Sequence, residues 1–165
     1  MVIVYTSNTG YTERYAKMLA DELSLPIYEL NTAKKHLEKN TPVLYMGWLM
    51  ASHVKDFSKA SKLFDVKCLC GVGMGPTGTQ LSEVRSAEGL SDDFPLFTLQ
   101  GGFSMDKLSG IYKFVMGMLV KMIEKKSEPT EEEKWMVSTI RSGGDFVSAD
   151  NLSEIIDFCR NHSAN

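Results

Sequence analysis

The run Ser7-Asn8-Thr9-Gly10-Tyr11-Thr12 follows directly on the apolar stretch Val2-Ile3-Val4-Tyr5, and a helical periodicity begins at once behind it. Three Ser/Thr hydroxyls and a glycine at a strand-to-helix turn suit anion binding. Successive backbone N–H groups point into such a turn, and the helix N-terminus adds its partial positive charge. Gly10 has no Cβ, so its backbone can approach an oxygen closely. A triphosphate loop of the form G-x-x-x-x-G-K-[ST] requires a lysine, and this turn contains none. The turn reads as an anion cradle of another kind.

Strands and helices must alternate to position that turn. Val2–Thr6, Pro26–Leu30, Val43–Gly47, Val66–Val72 and Leu96–Leu99 read as short buried strands. Thr12–Leu23 reads as a helix with Tyr15, Met18, Leu19 and Leu23 on one face. Thr32–Lys39 allows one or two helical turns, and Val54–Leu63 and Leu81–Glu88 read as further helices. Short apolar strands separated by helices imply an α/β fold with a parallel sheet covered on both faces. Ligands of such sheets sit beyond the carboxyl ends of the strands, at the switch point.

Three later segments leave strand ends that face the same way. Gly47-Trp48-Leu49-Met50-Ala51-Ser52-His53 reads as the loop after the third strand. Gly73-Met74-Gly75-Pro76-Thr77-Gly78-Thr79 follows the fourth, and Gln100-Gly101-Gly102-Phe103 the fifth. Trp48 and Met50 suit the wall of a flat, polarisable ligand, although a tryptophan at a strand end also serves to cap a core. Three glycines in seven residues let a backbone come close to a ligand, or make an ordinary turn.

The pattern [ST]-x-T-G-x-T after the first strand resembles the phosphate loop of the flavodoxin family, which holds the phosphate of FMN. The resemblance implies a doubly wound, five-stranded parallel sheet in the order 2-1-3-4-5. It implies non-covalent FMN held by Ser7, Asn8, Thr9, Gly10, Tyr11 and Thr12 at the phosphate. Gly47, Trp48, Leu49, Met50 and Ala51, with Gly73, Met74, Gly75, Thr77 and Gly78, would hold the ring.

Beyond the fifth strand lies a helical insert at about 101–144, within what reads as one domain spanning 1–165. Lys107–Lys126 carries Ile111, Phe114, Val115, Met118, Leu119, Met122 and Ile123 as one apolar stripe. Thr130 with Glu133 marks a capping box opening a second helix, which ends at Gly143-Gly144. A last helix starts near Asp150 and presents Leu152, Ile155, Ile156 and Cys159. The stretch Ile111-Tyr-Lys-Phe-Val-Met-Gly-Met-Leu-Val-Lys-Met, with its polar break and last helix, resembles the flavodoxin-domain family that includes menaquinone-dependent protoporphyrinogen oxidase. That resemblance implies an FMN-dependent oxidoreductase with FMN at the phosphate loop, and in the oxidase itself electrons passing from a porphyrinogen to a quinone at the membrane. The other reading is a flavodoxin-type electron carrier that serves a redox partner protein and has no small substrate. The stripe either packs on the domain or a partner subunit, or meets a membrane or quinone with help from Lys113, Lys121, Lys125 and Lys126.

Composition bounds these readings. At 165 residues the chain suits one domain. A net charge of −3 argues against a nucleic-acid binder. No signal peptide or spanning apolar stretch is legible, so a cytoplasmic protein is expected, with oligomer formation left open. Cys68, Cys70 and Cys159 lack disulfide or metal spacing. His53 is the only histidine near the proposed site, and no catalytic acid or base is assigned.

Overall fold

The computed structural model describes residues 1–108 and 110–162. Two compact units emerge: Met1–Gly101 with the chain from Val147 onward, and Gly102–Phe146.

The first unit is built on β1 (Val2–Thr6), β2 (Ile27–Glu29), β3 (Pro42–Met50), β4 (His53–Val54), β5 (Asp65–Gly73) and β6 (Leu96–Gln100). Five of these run parallel in the order β2-β1-β3-β5-β6, and β4 folds back antiparallel on β3. The expected α/β class with a mostly parallel sheet is therefore observed. Helices α1 (Tyr11–Leu23), α2 (Leu30–His36), α3 (Phe57–Leu63), α4 (Leu81–Glu88) and, after a 3₁₀ turn at Ala149–Leu152, a C-terminal helix from Ser153 to His162 belong to the same unit.

Strand alternation divides the core into two layers. Ile3, Leu44, Met46, Cys68 and Cys70 pack with Tyr15, Leu19, Ile155 and Cys159. Val4, Val43, Tyr45 and Leu69 pack with Phe57, Ala60 and Val84 on the other layer. Burial of both faces explains why the central strands read as continuous apolar runs.

The third strand departs from its sequence reading. It continues to Met50 instead of ending at Gly47, and the expected loop is the arm of a β-hairpin. Ala51 and Ser52 both have positive φ (49° and 64°), as a two-residue hairpin turn requires. Val54 accordingly lies in β4, and the helix expected from Val54 begins at Phe57. The turn was hidden because Ala-Ser lacks the Asn-Gly chemistry that announces such hairpins.

The second unit holds β7 (Gly102–Phe103), α5 (Gly110–Glu124), α6 (Glu131–Ser142) and β8 (Gly144–Asp145). β7 and β8 pair antiparallel, with Phe103 opposite Gly144. The capping box expected at Thr130 and Glu133 is present in both directions. Lys126 pairs with Glu133 and Arg141 with Glu124, joining the two helices. Val120, Ile123, Thr139 and Ile140 are buried. The α5 stripe does not pack inward as a whole. Ile111, Phe114, Val115, Met118 and Met122 are 47–70% exposed. Among the described residues no helix is long and apolar enough to cross a membrane.

Candidate functional site

The chain crosses the sheet to opposite sides of β1, with β2 on one flank and β3 on the other. That reversal creates a crevice at the carboxyl end of β1. Ser7–Gly10 occupies it, between Thr6 and the first turn of α1. The Ser7 hydroxyl accepts a hydrogen bond from the Gly10 N–H at 3.1 Å, closing the turn on itself. Gly10 sits at φ 92° as the residue before the helix, with nothing within 4 Å of where a Cβ would be. It has no side chain to accept from the first-turn N–H groups, which an α-helix leaves without intrahelical acceptors. Asn8 is exposed, and Ser7 and Thr9 are half-buried. The arrangement offers backbone donors and a helix N-terminus to an anion.

Tyr11 and Thr12 follow Gly10 directly. Both are within the first turn of α1 and are buried at 6% and 2% exposure, with Tyr11 in the core layer around Tyr15. Tyr11 can offer a backbone contribution to the turn, while its ring is used in packing.

Beside the cradle, β3 runs past its pairing with Thr6 at Gly47, so Trp48, Leu49 and Met50 project beyond the end of β1. Alternation places Trp48 and Met50 on the layer of Met46 and α1, the layer of Tyr11. Trp48 is half-buried and Met50 is 47% exposed. The Lys55 ammonium stands 5.9 Å from the Trp48 ring centroid, a cation–π distance. Leu49 points to the opposite layer. Its side chain lies within about 3 Å of where a Cβ would stand on Gly71 and Gly73. A Cβ on Gly47 would meet Val54 Cγ1 at 2.6 Å and the Lys55 carbonyl oxygen at 2.7 Å. The bareness of Gly47 and Gly73 is thus filled by the protein's own hairpin. Ala51 is exposed at the hairpin turn.

The loop after β5 is pinned to the outer edge of β6. Gly78 N–H donates to the Thr98 carbonyl at 3.0 Å, and Gln100 N–H donates to the Thr77 hydroxyl at 3.0 Å. The Thr79 hydroxyl donates to the Pro76 carbonyl. Thr77 and Gly78 therefore lie beyond β6, which is itself three strand spacings, roughly 14 Å, from β1. Gly73, Met74 and Gly75 are the part of this loop that leaves β5 beside the hairpin. Gln100 is tied in by its Nε2 donating to the Met74 carbonyl and by the Tyr15 hydroxyl donating to its own carbonyl at 2.5 Å.

Three supports carry no sequence signal. The Tyr45 hydroxyl donates to the Lys55 carbonyl at 2.7 Å and shares a hydrogen bond with the Thr6 hydroxyl at 2.9 Å. Burial holds that phenol well above its ordinary value. Glu88 accepts from the Val54 N–H at 2.6 Å and stands 3.5 Å from His53 Nδ1. Lys55 itself covers Trp48. Each joins positions far apart in the chain or sits on a turn that its residues do not announce.

Among the described residues no group of three or more side chains could hold a metal ion. Known family models give no match to the chain, and a search of curated proteins gives none either.

Proposed function

We propose that this chain is a flavodoxin-like protein that binds FMN without a covalent bond and acts as an FMN-dependent oxidoreductase. The observation that carries the reading is the cradle Ser7–Gly10 opening beside Trp48 and Met50. An anion site and an apolar aromatic wall thus share one layer at the switch point of a parallel sheet. The strand order β2-β1-β3-β5-β6 and the helical segment inserted before the C-terminal helix support it further. The residues present fit the group. A dianionic phosphate suits backbone donors at a helix start, and the open space at Gly10 leaves room for close approach.

Bound FMN would supply the redox chemistry, and the protein would supply position and field. Ser7 holds the loop by accepting from Gly10. Trp48 and Met50 shield a ring face from water, and Lys55 behind Trp48 adds positive charge near it. Met74 and Gly75 offer backbone groups to a ring edge. The proposed electron partner is a redox protein, a quinone or a small molecule.

An absorbance spectrum of the purified protein tests the reading, followed by mass identification of whatever denaturation releases. Flavin bands and released FMN are expected. A colourless protein that takes up neither FMN nor riboflavin would overturn it.

A further inference from the structure

Gln100 closes β6, and both its backbone and its side chain are engaged. Its N–H donates to the Thr77 hydroxyl at 3.0 Å, and its carbonyl accepts from the hydroxyl of the buried Tyr15 at 2.5 Å. Its Nε2 donates to the Met74 carbonyl at 3.3 Å. The Tyr15 hydroxyl in turn accepts from Asn151 Nδ2 at 2.6 Å. The Gln100 backbone is thus fixed from two sides, and its amide side chain reaches the loop from a fixed point. All of these residues belong to the first unit.

The bond to Met74 turns a peptide over. Along a regular parallel strand, successive carbonyls point to alternate neighbours. The Gly73 carbonyl already accepts from the Gly101 N–H at 2.8 Å, across the β5–β6 boundary. A continuing strand would therefore aim the Met74 carbonyl toward β3, which flanks β5 on its other side. The Gln100 amide draws that carbonyl back instead. In a trans peptide the C=O and the following N–H point in opposite directions, so the Gly75 N–H is the group that faces away from Gln100. It has no acceptor among the described residues. A glycine at 75 leaves this peptide free to turn, so its orientation is set by Gln100.

We propose that Gln100, held by Tyr15, is a positioning residue of the flavin site: it fixes the Met74–Gly75 peptide so that the Gly75 N–H is offered to the ring edge. The inference rests on FMN binding at this site. A fixed donor suits the oxygen and nitrogen acceptors of that edge, and the bond strengthens when reduction adds negative charge to them. The contact therefore raises the midpoint potential of bound FMN.

Gln100→Met tests it, because the variant keeps the backbone bonds and the side-chain length and removes the donor. Binding of FMN and of riboflavin should weaken equally, about tenfold, since the ring edge is affected and the phosphate is not. The midpoint potential of bound FMN should become more negative. In the protein stripped of flavin, the Gly75 amide resonance should shift while that of Gly10 stays in place. Gln100→Glu, close in shape but with no N–H to donate, should give the same three changes. A wild-type protein that binds no flavin would overturn the flavin reading and this inference with it. Flavin binding and potential untouched by both variants, or a Gly75 resonance that neither moves, would overturn the role of Gln100 alone.

Discussion

The Val54 backbone N–H donates to the Glu88 carboxylate at 2.6 Å, across 34 positions of sequence. Val54 is in the returning strand of the hairpin that carries Trp48 and Met50, and Glu88 is the last residue of α4. The Glu88 side chain is only 10% exposed. Glu88→Ala should therefore leave a shielded N–H without its acceptor, costing about 1–3 kcal/mol. Urea denaturation measures the loss. Glu88→Gln keeps an acceptor and should recover most of it. Full stability in Glu88→Ala would show that the clamp does not hold the hairpin.

Two glycines of the strand-end loops should respond differently to alanine. At Gly47 the new Cβ would stand 2.6 Å from Val54 Cγ1 and 2.7 Å from the Lys55 carbonyl, and backbone cannot yield easily. Overpacking of this kind costs about 1–3 kcal/mol. At Gly78 nothing lies within 4 Å, and the cost is only that of φ +78°, about 1–2 kcal/mol for a residue with a Cβ. Gly47→Ala should also displace the hairpin, visible as altered Trp48 fluorescence, while Gly78→Ala should not. An unaltered hairpin in Gly47→Ala would contradict the packing described.

Local periodicity made much of the fold readable. The apolar runs at Val2–Thr6 and Val66–Val72 could only be buried strands, and Thr130 with Glu133 announced its helix by cap chemistry alone. The strand-to-helix turn at Ser7–Gly10 was readable because consecutive residues form it. The remainder of the site was not, because tertiary contacts decide it. Nothing local shows that β3 runs on to Met50 or that Glu88 will reach Val54. Nor does it show that Thr77 will accept from Gln100 and so be drawn to the sheet edge. Glycine was the least informative residue. Gly10 is bare toward open space, whereas Gly47 and Gly73 are bare because Val54 and Leu49 need the room.

Within the cradle, Thr9 and Ser7 should separate two roles. Thr9→Ala removes a hydroxyl beside the proposed phosphate and should weaken FMN binding about tenfold more than riboflavin binding, as loss of a bond to a charged group would. Ser7→Ala removes the acceptor of the Gly10 N–H and should loosen the turn, again penalising FMN more than riboflavin. Flavin fluorescence titration reads both. Equal losses for the two ligands would place the phosphate elsewhere.

Glu133 should add to the acid sensitivity of the second unit. Its hydrogen bond with Lys126 and the Thr130 N–H hold its carboxyl below the ordinary 4.5. A carboxylate with a depressed folded value contributes stability above its unfolded value, and that stability is lost as pH falls through the folded one. Melting of α5 and α6 should therefore ease below about pH 4.5. Glu133→Gln should weaken the unit at neutral pH and flatten that acid slope. An acid slope unchanged by Glu133→Gln would exclude this carboxylate as its source.

At the alkaline end the thiols contribute to the limit, beside the buried Tyr45 phenol. Cys68, Cys70 and Cys159 share one core layer and are buried. Burial raises all three above the ordinary 9.0, Cys159 to about 11. The folded protein thus holds neutral thiols where the unfolded chain would ionise. A raised folded value means that the stabilisation is complete below the unfolded value and is lost as pH climbs through the folded one. The melting midpoint should hold up to about pH 9 and fall progressively toward and beyond pH 11. Cys159→Ala should remove the first part of that decline. At pH 8 the three thiols should resist a chromogenic disulfide in the native protein and react fully once urea unfolds it, because only the exposed thiolate attacks. Rapid reaction of native Cys159 at pH 8 would mean that the C-terminal helix leaves the sheet far more readily than its buried packing allows.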